Sequence, residues 1–392
     1  MDNVLQNNNV DQLWFRIAKL KPFLRSHISV HRHEYRGEIW YVYQDHANNR
    51  FHRFDYSAHK FISLLDGEKC VHDISELLNN SQDIESPSKE EIFFLLGQLH
   101  RLDLLQANTS PDTQELYQRA LLQKKKKWKM FLRNPVSFRI SLFDPESFLN
   151  YALPAIKPLF SITGAVIWLL TLLLAGLLTI SYWTELSSHA FEQALQPRNF
   201  LLMAFTYPMV KLLHELGHAF AVKYWAGEVH EIGIIFVLFI PIPYVDASAS
   251  SAFSQKYQRV AVGAAGIVVE LFLACIALFV WLSVEPGLVS ALAFNVMLIG
   301  GISTLFFNGN PLLRYDGYYV LSDLIGIPNL SSRSNRYIGY ILQRYLLGVY
   351  NVSSPTRDAG ERLWFAFYSP SSYIYRLSIL FVIIMLIADK WF

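Results

Sequence analysis

Residues 200–225 read FLLMAFTYPMVKLLHELGHAFAVKYW, an apolar stretch of membrane-spanning length with a polar centre. His214 and His218 are four positions apart, so on a helix both imidazoles lie on one face and can bind one zinc ion. Glu215 lies beside that face, where it can deprotonate a zinc-bound water. An isolated HExxH match is usually two surface histidines on a soluble helix. Here Lys211 adds a fourth ionisable group, and such groups within a spanning helix are costly and usually functional.

Composition predicts a polytopic membrane protein with a soluble part, because 52% of the 392 residues are apolar and 15% are aromatic. Membrane lipid is therefore an expected partner. The net charge is only +2, which does not suggest a nucleic-acid partner. Cys70 and Cys275 lie in different regions, the second in an apolar segment, so neither a disulfide framework nor a cysteine zinc site is expected.

The fold class predicted for the chain is a mainly α-helical polytopic membrane protein with about five transmembrane helices. The predicted spans are apolar and, except for the slightly short last one, long enough to cross about 30 Å of hydrocarbon. The predicted spans are 159–182, 200–225, 260–284, 288–307 and 373–388. The apolar segment 232–244 is too short to cross and contains Pro241 and Pro243, which predicts a re-entrant or interfacial segment.

Residues 1–110 are predicted to form a small N-terminal α+β domain of winged-helix type. Residues 40–54 have the pattern of a β-hairpin. Three short helices are predicted after it, at 60–65, 74–78 and 92–105. Ser88 and Glu91 form a capping box before the third helix.

Residues 111–150 are predicted to be a basic connector, and residues 151–392 the transmembrane domain. The lysine run 124–127 precedes the first span and is typical of a positive-inside anchor, with binding of an anionic lipid or a partner as the alternative. Further basic residues at 256–259 and 333–362 belong on the same side. The N-terminus is therefore predicted to be cytoplasmic and the C-terminus to lie on the opposite side.

A catalytic zinc ion needs three protein ligands, so one ligand is missing from the HExxH pair. The candidates are Asp246, Glu270, Asp316 and Asp323. Depth favours Asp316, because His218 lies about 10 Å from the inner end of its span and Asp316 follows the inner end of the fourth span. Taken alone, an Asp-Gly turn is the simpler interpretation of Asp316.

Lys211 and Glu270 are predicted to form an ion pair between two helices. Lys211 lies about 20 Å from the inner end of its span and Glu270 about 18 Å from the inner end of the next. Opposite charges at matched depth should pair in a membrane. The pair is expected to be structural, so that Glu270→Gln would lower stability but keep zinc. Gly263 and Gly266 would let the helices approach closely, with lipid-facing small residues as the alternative.

HELGH at 214–218 together with NGNPLLRYDG at 308–317 resembles the site-2 protease family of intramembrane zinc metalloproteases. The resemblance implies zinc ligands at His214, His218 and Asp316, and a catalytic base at Glu215. The family's upstream Asn and Pro match Asn308 and Pro311, whereas Leu313 stands where many members carry a second proline.

IPIPYVDAS at 240–248 and the segment 310–329 resemble a bacterial branch described as peptide zinc metalloproteases, whose members often carry a PqqD-like N-terminal domain. This implies a bacterial inner-membrane location and, as a partner, export machinery such as a membrane-fusion protein. Asn308 and Asn310 would hold the substrate backbone, with helix capping as the alternative. Segment 232–244 would offer a strand edge to substrate, with interfacial packing as the alternative.

The function expected from these features is hydrolysis of peptide bonds in a membrane-associated or exported peptide or protein, with one Zn²⁺ per chain. The alternative is a non-catalytic, zinc-containing accessory subunit of a peptide secretion or maturation system. A zinc transporter would need several His or acidic residues along a path, and the first and last predicted spans have none.

Overall fold

The computed structural model describes residues 14–15, 17–47, 50–80, 87–107, 137–193, 197–237, 240–356 and 358–391. The chain divides into two units, one of residues 1–135 with 251–255, the other of residues 136–250 with 256–392. The basic residues 124–127 lie outside the described residues. The predicted connector 111–150 is not one segment, because its end contributes a strand and a helix to the second unit.

In its described residues, the first unit is an α+β arrangement in which four strands precede three helices and a fifth strand follows them. Its strands are β1 (Pro22–Leu24), β2 (Ile28–Tyr35), β3 (Glu38–Asp45), β4 (Arg50–Asp55) and β5 (Leu105–Ala107). Its helices are α1 (Tyr56–Ser63), α2 (Val71–Asn80) and α3 (Lys89–Arg101). The antiparallel order β2–β3–β4 extends the predicted hairpin by one strand, and β1 pairs with β5.

Local sequence signals explain where these helices begin. Asp55 accepts a hydrogen bond from the Ala58 N–H and starts α1 earlier than its apolar residues indicate. The predicted capping box is present, because Ser88 and Glu91 exchange backbone and side-chain hydrogen bonds. Strand β2 escaped prediction because histidine, arginine and glutamate occupy half of its sequence, ISVHRHEY.

The second unit is mainly helical. Its helices are α4 (Glu146–Ile156), α5 (Ile162–Ser181), α6 (Trp183–Gln193), α7 (Pro197–Tyr224), α8 (Lys256–Ser283), α9 (Leu288–Met297), α10 (Asp316–Leu324), α11 (Leu330–Ile341) and α12 (Ala359–Trp391). The helix α9 continues as a π-helix over Leu298–Asn308.

Within the described residues, four helices are long and apolar enough to cross a membrane. They cover Ile162–Ser181, Lys256–Ser283, Leu288–Asn308 and Ala359–Met385. Five spans were predicted, and the remaining one corresponds to α7, which has 28 residues but too many polar side chains to belong to this set. The last of the four is longer than the predicted span 373–388, because its helix begins at Ala359 and continues through Pro370.

The segment predicted to be re-entrant is a β-hairpin. Strands β6 (Ser137–Phe143), β7 (Ile232–Val237) and β8 (Ile240–Val245) form an antiparallel sheet in the order β6–β7–β8. The strand β8 is an edge strand, and it carries both Pro241 and Pro243. Proline cannot donate to a strand ladder, which confines it to sheet edges.

A polar clamp holds the C-terminal end of α7. Glu146 of α4 accepts hydrogen bonds from the Lys223 ammonium and, at 3.0 Å, from the Val229 N–H. Burial raises the pKa of Glu146, but the Lys223 and Val229 donors outweigh it and hold this pKa below its usual value. The clamp anchors the helix that carries the HExxH motif.

Candidate metal centre

Helix α7 places the two histidines of the HExxH motif side by side. Their ring centroids are 4.7 Å apart and the rings are nearly perpendicular. The two Nε2 atoms are separated by 3.1 Å. His214 and His218 retain only 4% and 9% of their surface, so both rings are removed from solvent.

Asp316 contacts both rings, although it follows His218 by 98 residues in the chain. Its Oδ2 lies 2.9 Å from His214 Nε2 and 3.2 Å from His218 Nε2. A loop places it there at the first residue of α10. That loop folds so tightly that a Cβ on Gly317 would lie 2.3 Å from the Gly309 carbonyl oxygen. A glycine is therefore required next to Asp316.

The three side chains fit a zinc ion. Their ligand atoms all lie within 4.8 Å of one another, and no other such group occurs among the described residues. Tetrahedral zinc with bonds of about 2.0–2.1 Å needs ligand atoms roughly 3.3 Å apart. The separations of 2.9, 3.1 and 3.2 Å are close to that value. Two imidazoles and one carboxylate also match catalytic zinc sites, which keep a fourth position open.

Each of the three candidate ligands also contacts a neighbouring protein group. His218 Nδ1 lies 2.7 Å from the Val262 carbonyl oxygen, which fixes the proton on Nδ1 and leaves Nε2 free to bind metal. His214 Nδ1 lies 3.3 Å from Glu270 Oε1. Asn308 Nδ2 donates a hydrogen bond of 2.9 Å to Asp316 Oδ2. These contacts orient all three side chains.

Glu215 is held by the edge strand of the small sheet. Its Oε2 accepts a hydrogen bond of 3.0 Å from the Val245 N–H of β8. One carboxylate oxygen is thereby fixed. The Glu215 carboxylate interacts electrostatically with His214, His218 and Asp316, so it borders the candidate centre.

The structure shows which protein groups the two asparagines contact, and their expected contact with substrate stays a prediction. The Asn308 amide donates to Asp316. Asn310 Oδ1 accepts a hydrogen bond of 2.9 Å from the Leu312 N–H, which closes a turn in the loop before α10. Both side chains thus shape the Asp316 loop, and helix capping does not describe their contacts.

Two of the other acidic candidates for the third ligand are engaged elsewhere. Asp323 forms an ion pair of 3.0 Å with Arg259. Asp246 accepts a hydrogen bond of 3.0 Å from the Ser248 N–H at the end of the hairpin. Neither belongs to the metal-binding group.

Lys211 and Glu270 lie as the depth argument expects, with Nζ and Oε1 2.5 Å apart. Glu270 has further neighbours that the sequence did not reveal, namely His214 and the hydroxyl of Thr304, which donates to its Oε2. Glu270 is fully buried. Matched depth along two helices predicts Lys211 as a partner of Glu270. It does not predict Thr304, which lies on the π-helix that follows α9.

No protein-family model, curated protein or solved structure matches this chain.

Proposed function

We propose that the chain is a membrane-embedded zinc metallopeptidase of the site-2 protease type. It would hydrolyse peptide bonds of a membrane-associated or exported peptide or protein. The observation that carries the proposal is the convergence of His214, His218 and Asp316 on one point, with Glu215 beside it. Three ligands with an open fourth position are typical of catalytic rather than structural zinc sites.

The roles of the side chains follow from their contacts. Bound zinc would polarise the scissile carbonyl and lower the pKa of water. Glu215, fixed through Oε2, would accept the proton of the attacking water at Oε1 and return it to the leaving amine nitrogen. Asn308 would keep the Asp316 carboxylate oriented toward the two imidazoles.

The edge of β8 would align the substrate. Along an antiparallel strand, the backbone N–H and C=O groups of successive residues point alternately toward and away from the neighbouring strand. Pro241 and Pro243 cannot donate hydrogen bonds, so their backbone faces away from β7, as does that of Val245, whose N–H binds Glu215. The carbonyl oxygens of Pro241 and Pro243 therefore also point away from β7. An extended substrate would donate its own N–H groups to them and approach Glu215.

The bacterial cell membrane is the proposed location, with the N-terminus cytoplasmic and the C-terminus on the opposite side. Four apolar helices support membrane association. In this arrangement α7 would be the fifth span, with its polar residues turned toward the protein interior. Export machinery is the proposed partner, on the resemblance of segment 240–248 to the bacterial branch of peptide zinc metalloproteases.

The test compares membrane peptides from cells that express the wild-type chain, Glu215→Gln or Glu185→Gln. Glu185→Gln is the control, because it makes the same chemical change at an exposed residue of α6. A precursor that accumulates with Glu215→Gln alone would support the proposal, provided that the variant still contains zinc. We expect turnover to fall by at least about 100-fold, the scale of general acid–base catalysis.

Identical peptide profiles for all three chains would contradict the protease assignment. If deletion of the whole chain nevertheless abolished export of a peptide, the protein would be a non-catalytic accessory subunit. Absence of zinc from the purified wild-type chain would contradict both the zinc protease and the zinc-containing accessory subunit.

A further inference from the structure

We propose that Glu270 is a positioning residue for the metal ligand His214, and not only half of an ion pair between α7 and α8. The inference rests on the proposed zinc centre and deepens it. It also reverses the expectation that Glu270→Gln would leave zinc binding intact.

The Glu270 carboxylate has three polar neighbours. Glu270 is fully buried in an apolar helix. Its Oε1 lies 2.5 Å from Lys211 Nζ and 3.3 Å from His214 Nδ1, and its Oε2 accepts a hydrogen bond from the Thr304 hydroxyl. A buried charge is costly unless it is paired and hydrogen-bonded. Lys211 alone would pair the charge, so the contact with His214 needs a separate explanation.

The two imidazole nitrogens of His214 have different neighbours. Its Nε2 faces Asp316, whereas its Nδ1 is buried and has no aligned hydrogen bond among the described residues. Glu270 Oε1 is the acceptor that lies beside Nδ1. A proton held on Nδ1 leaves the Nε2 lone pair for metal, and a carboxylate behind the ring strengthens it as a ligand. Val262 performs the same task for His218 with a carbonyl oxygen.

Glu270 is held in place by the π-helix, which packs on α8 and carries Thr304. A Cβ on Gly300 would lie 2.5 Å from the Glu270 carbonyl oxygen, so the π-helix packs directly on α8 at this level. That packing brings Thr304 to the carboxylate. The Thr304 carbonyl oxygen also accepts a hydrogen bond of 2.6 Å from the Gly309 N–H, next to Asn308. Glu270 therefore connects His214 with the segment that orients Asp316.

The experiment measures zinc affinity of the purified full-length chain by chelator competition. Glu270→Gln removes the negative charge behind His214, and we expect zinc affinity to fall by about 10- to 100-fold. The double variant Lys211→Met with Glu270→Gln removes both charges, so that no buried charge is left unpaired. We expect its zinc affinity to stay equally low even where its thermal stability recovers.

The matched control removes the polar clamp of α4 and α7. Lys223→Met with Glu146→Gln breaks an interhelical ion pair of the same kind that does not contact the candidate ligands. We expect wild-type zinc affinity in this control. If zinc affinity is also wild-type in the Lys211–Glu270 double variant, the pair is structural and the proposal is overturned.

A second comparison serves if the Glu270 variants are not recovered folded. Thr304→Val removes the hydroxyl that holds Glu270, whereas Thr206→Val removes one that bonds within its own helix, to Leu202 at 2.8 Å. Weaker zinc binding by Thr304→Val alone supports the positioning role, and equal binding by both overturns it. A wild-type chain without zinc would instead reject the proposed function, so the two failures are distinguishable.

Discussion

At the scale of single residues, the candidate metal centre depends on a glycine that contributes no side chain. A Cβ on Gly266 would lie 2.2, 2.4 and 2.6 Å from three ring atoms of His214. The helix α8 can pass behind the imidazole only because this position has no Cβ. The close approach expected from Gly266 is thus confirmed beside the candidate ligand His214, whereas Gly263 faces Val320 of α10.

Gly266→Ala is expected to displace the His214 ring and to abolish tight zinc binding. The overlap is with a ring that is packed on all sides, so the added methyl should also destabilise the protein by about 1–3 kcal/mol. Zinc content and thermal unfolding of the purified variant measure both effects. Gly176→Ala is the control, because nothing lies within 4 Å of its Cβ position. Full zinc occupancy in Gly266→Ala would contradict the packing argument.

At the scale of secondary-structure elements, the helices around the site are joined by polar contacts inside an apolar bundle. Asn199 of α7 and Asn295 of α9 are both buried, and Asn295 Nδ2 donates a hydrogen bond of 2.8 Å to Asn199 Oδ1. The helix containing Asn295 continues as the π-helix that carries Thr304 and Asn308.

The Asn199–Asn295 hydrogen bond is expected to couple α7 to α9 by about 0.6 kcal/mol, a typical value between membrane helices. The measurement is a double-mutant cycle of unfolding free energies with Asn199→Ala and Asn295→Ala. Zinc affinity should change little in either variant, because neither side chain contacts a candidate ligand. Strictly additive effects of the two substitutions would show that the contact does not join the helices.

At the scale of the whole molecule, the two units differ in the kind of core that they build. The first unit buries aromatic and aliphatic residues from all three helices and the sheet, which is typical of a domain in water. Its core comprises Trp14, Tyr43, Phe54, Phe61, Ile62, Leu65, Val71, Ile74, Leu78, Ile92, Leu95, Leu96, Leu99 and Leu104. The second unit leaves apolar side chains exposed along its long helices, as lipid contact requires.

The main segment of the first unit, residues 1–135 without 251–255, is therefore expected to be soluble without detergent and to unfold cooperatively. A stability of about 5 kcal/mol is usual for a domain of this size. Circular dichroism during thermal and denaturant unfolding measures it. A fragment that aggregates, or that melts without a transition, would show that its core is incomplete without the rest of the chain.

Several features of this protein follow from the sequence alone because they depend on local geometry. Helical periodicity places His214 and His218 on one face whatever surrounds them. The capping box of Ser88 and Glu91 likewise acts over one turn. Uninterrupted apolar length identifies the four helices that are long enough to cross a membrane, whereas α7 falls outside that measure because it contains polar side chains.

Other features were decided only by the tertiary structure, because they depend on which elements pack against each other. Depth and resemblance pointed to Asp316, but only the fold brings it to within 3.2 Å of both imidazoles. Packing also turns the Asn308 amide toward Asp316. Glu270 reaches His214 as well as Lys211 because Gly266 lets α8 approach α7. Contacts between helices are set by how closely their backbones approach, which no periodicity along one helix records.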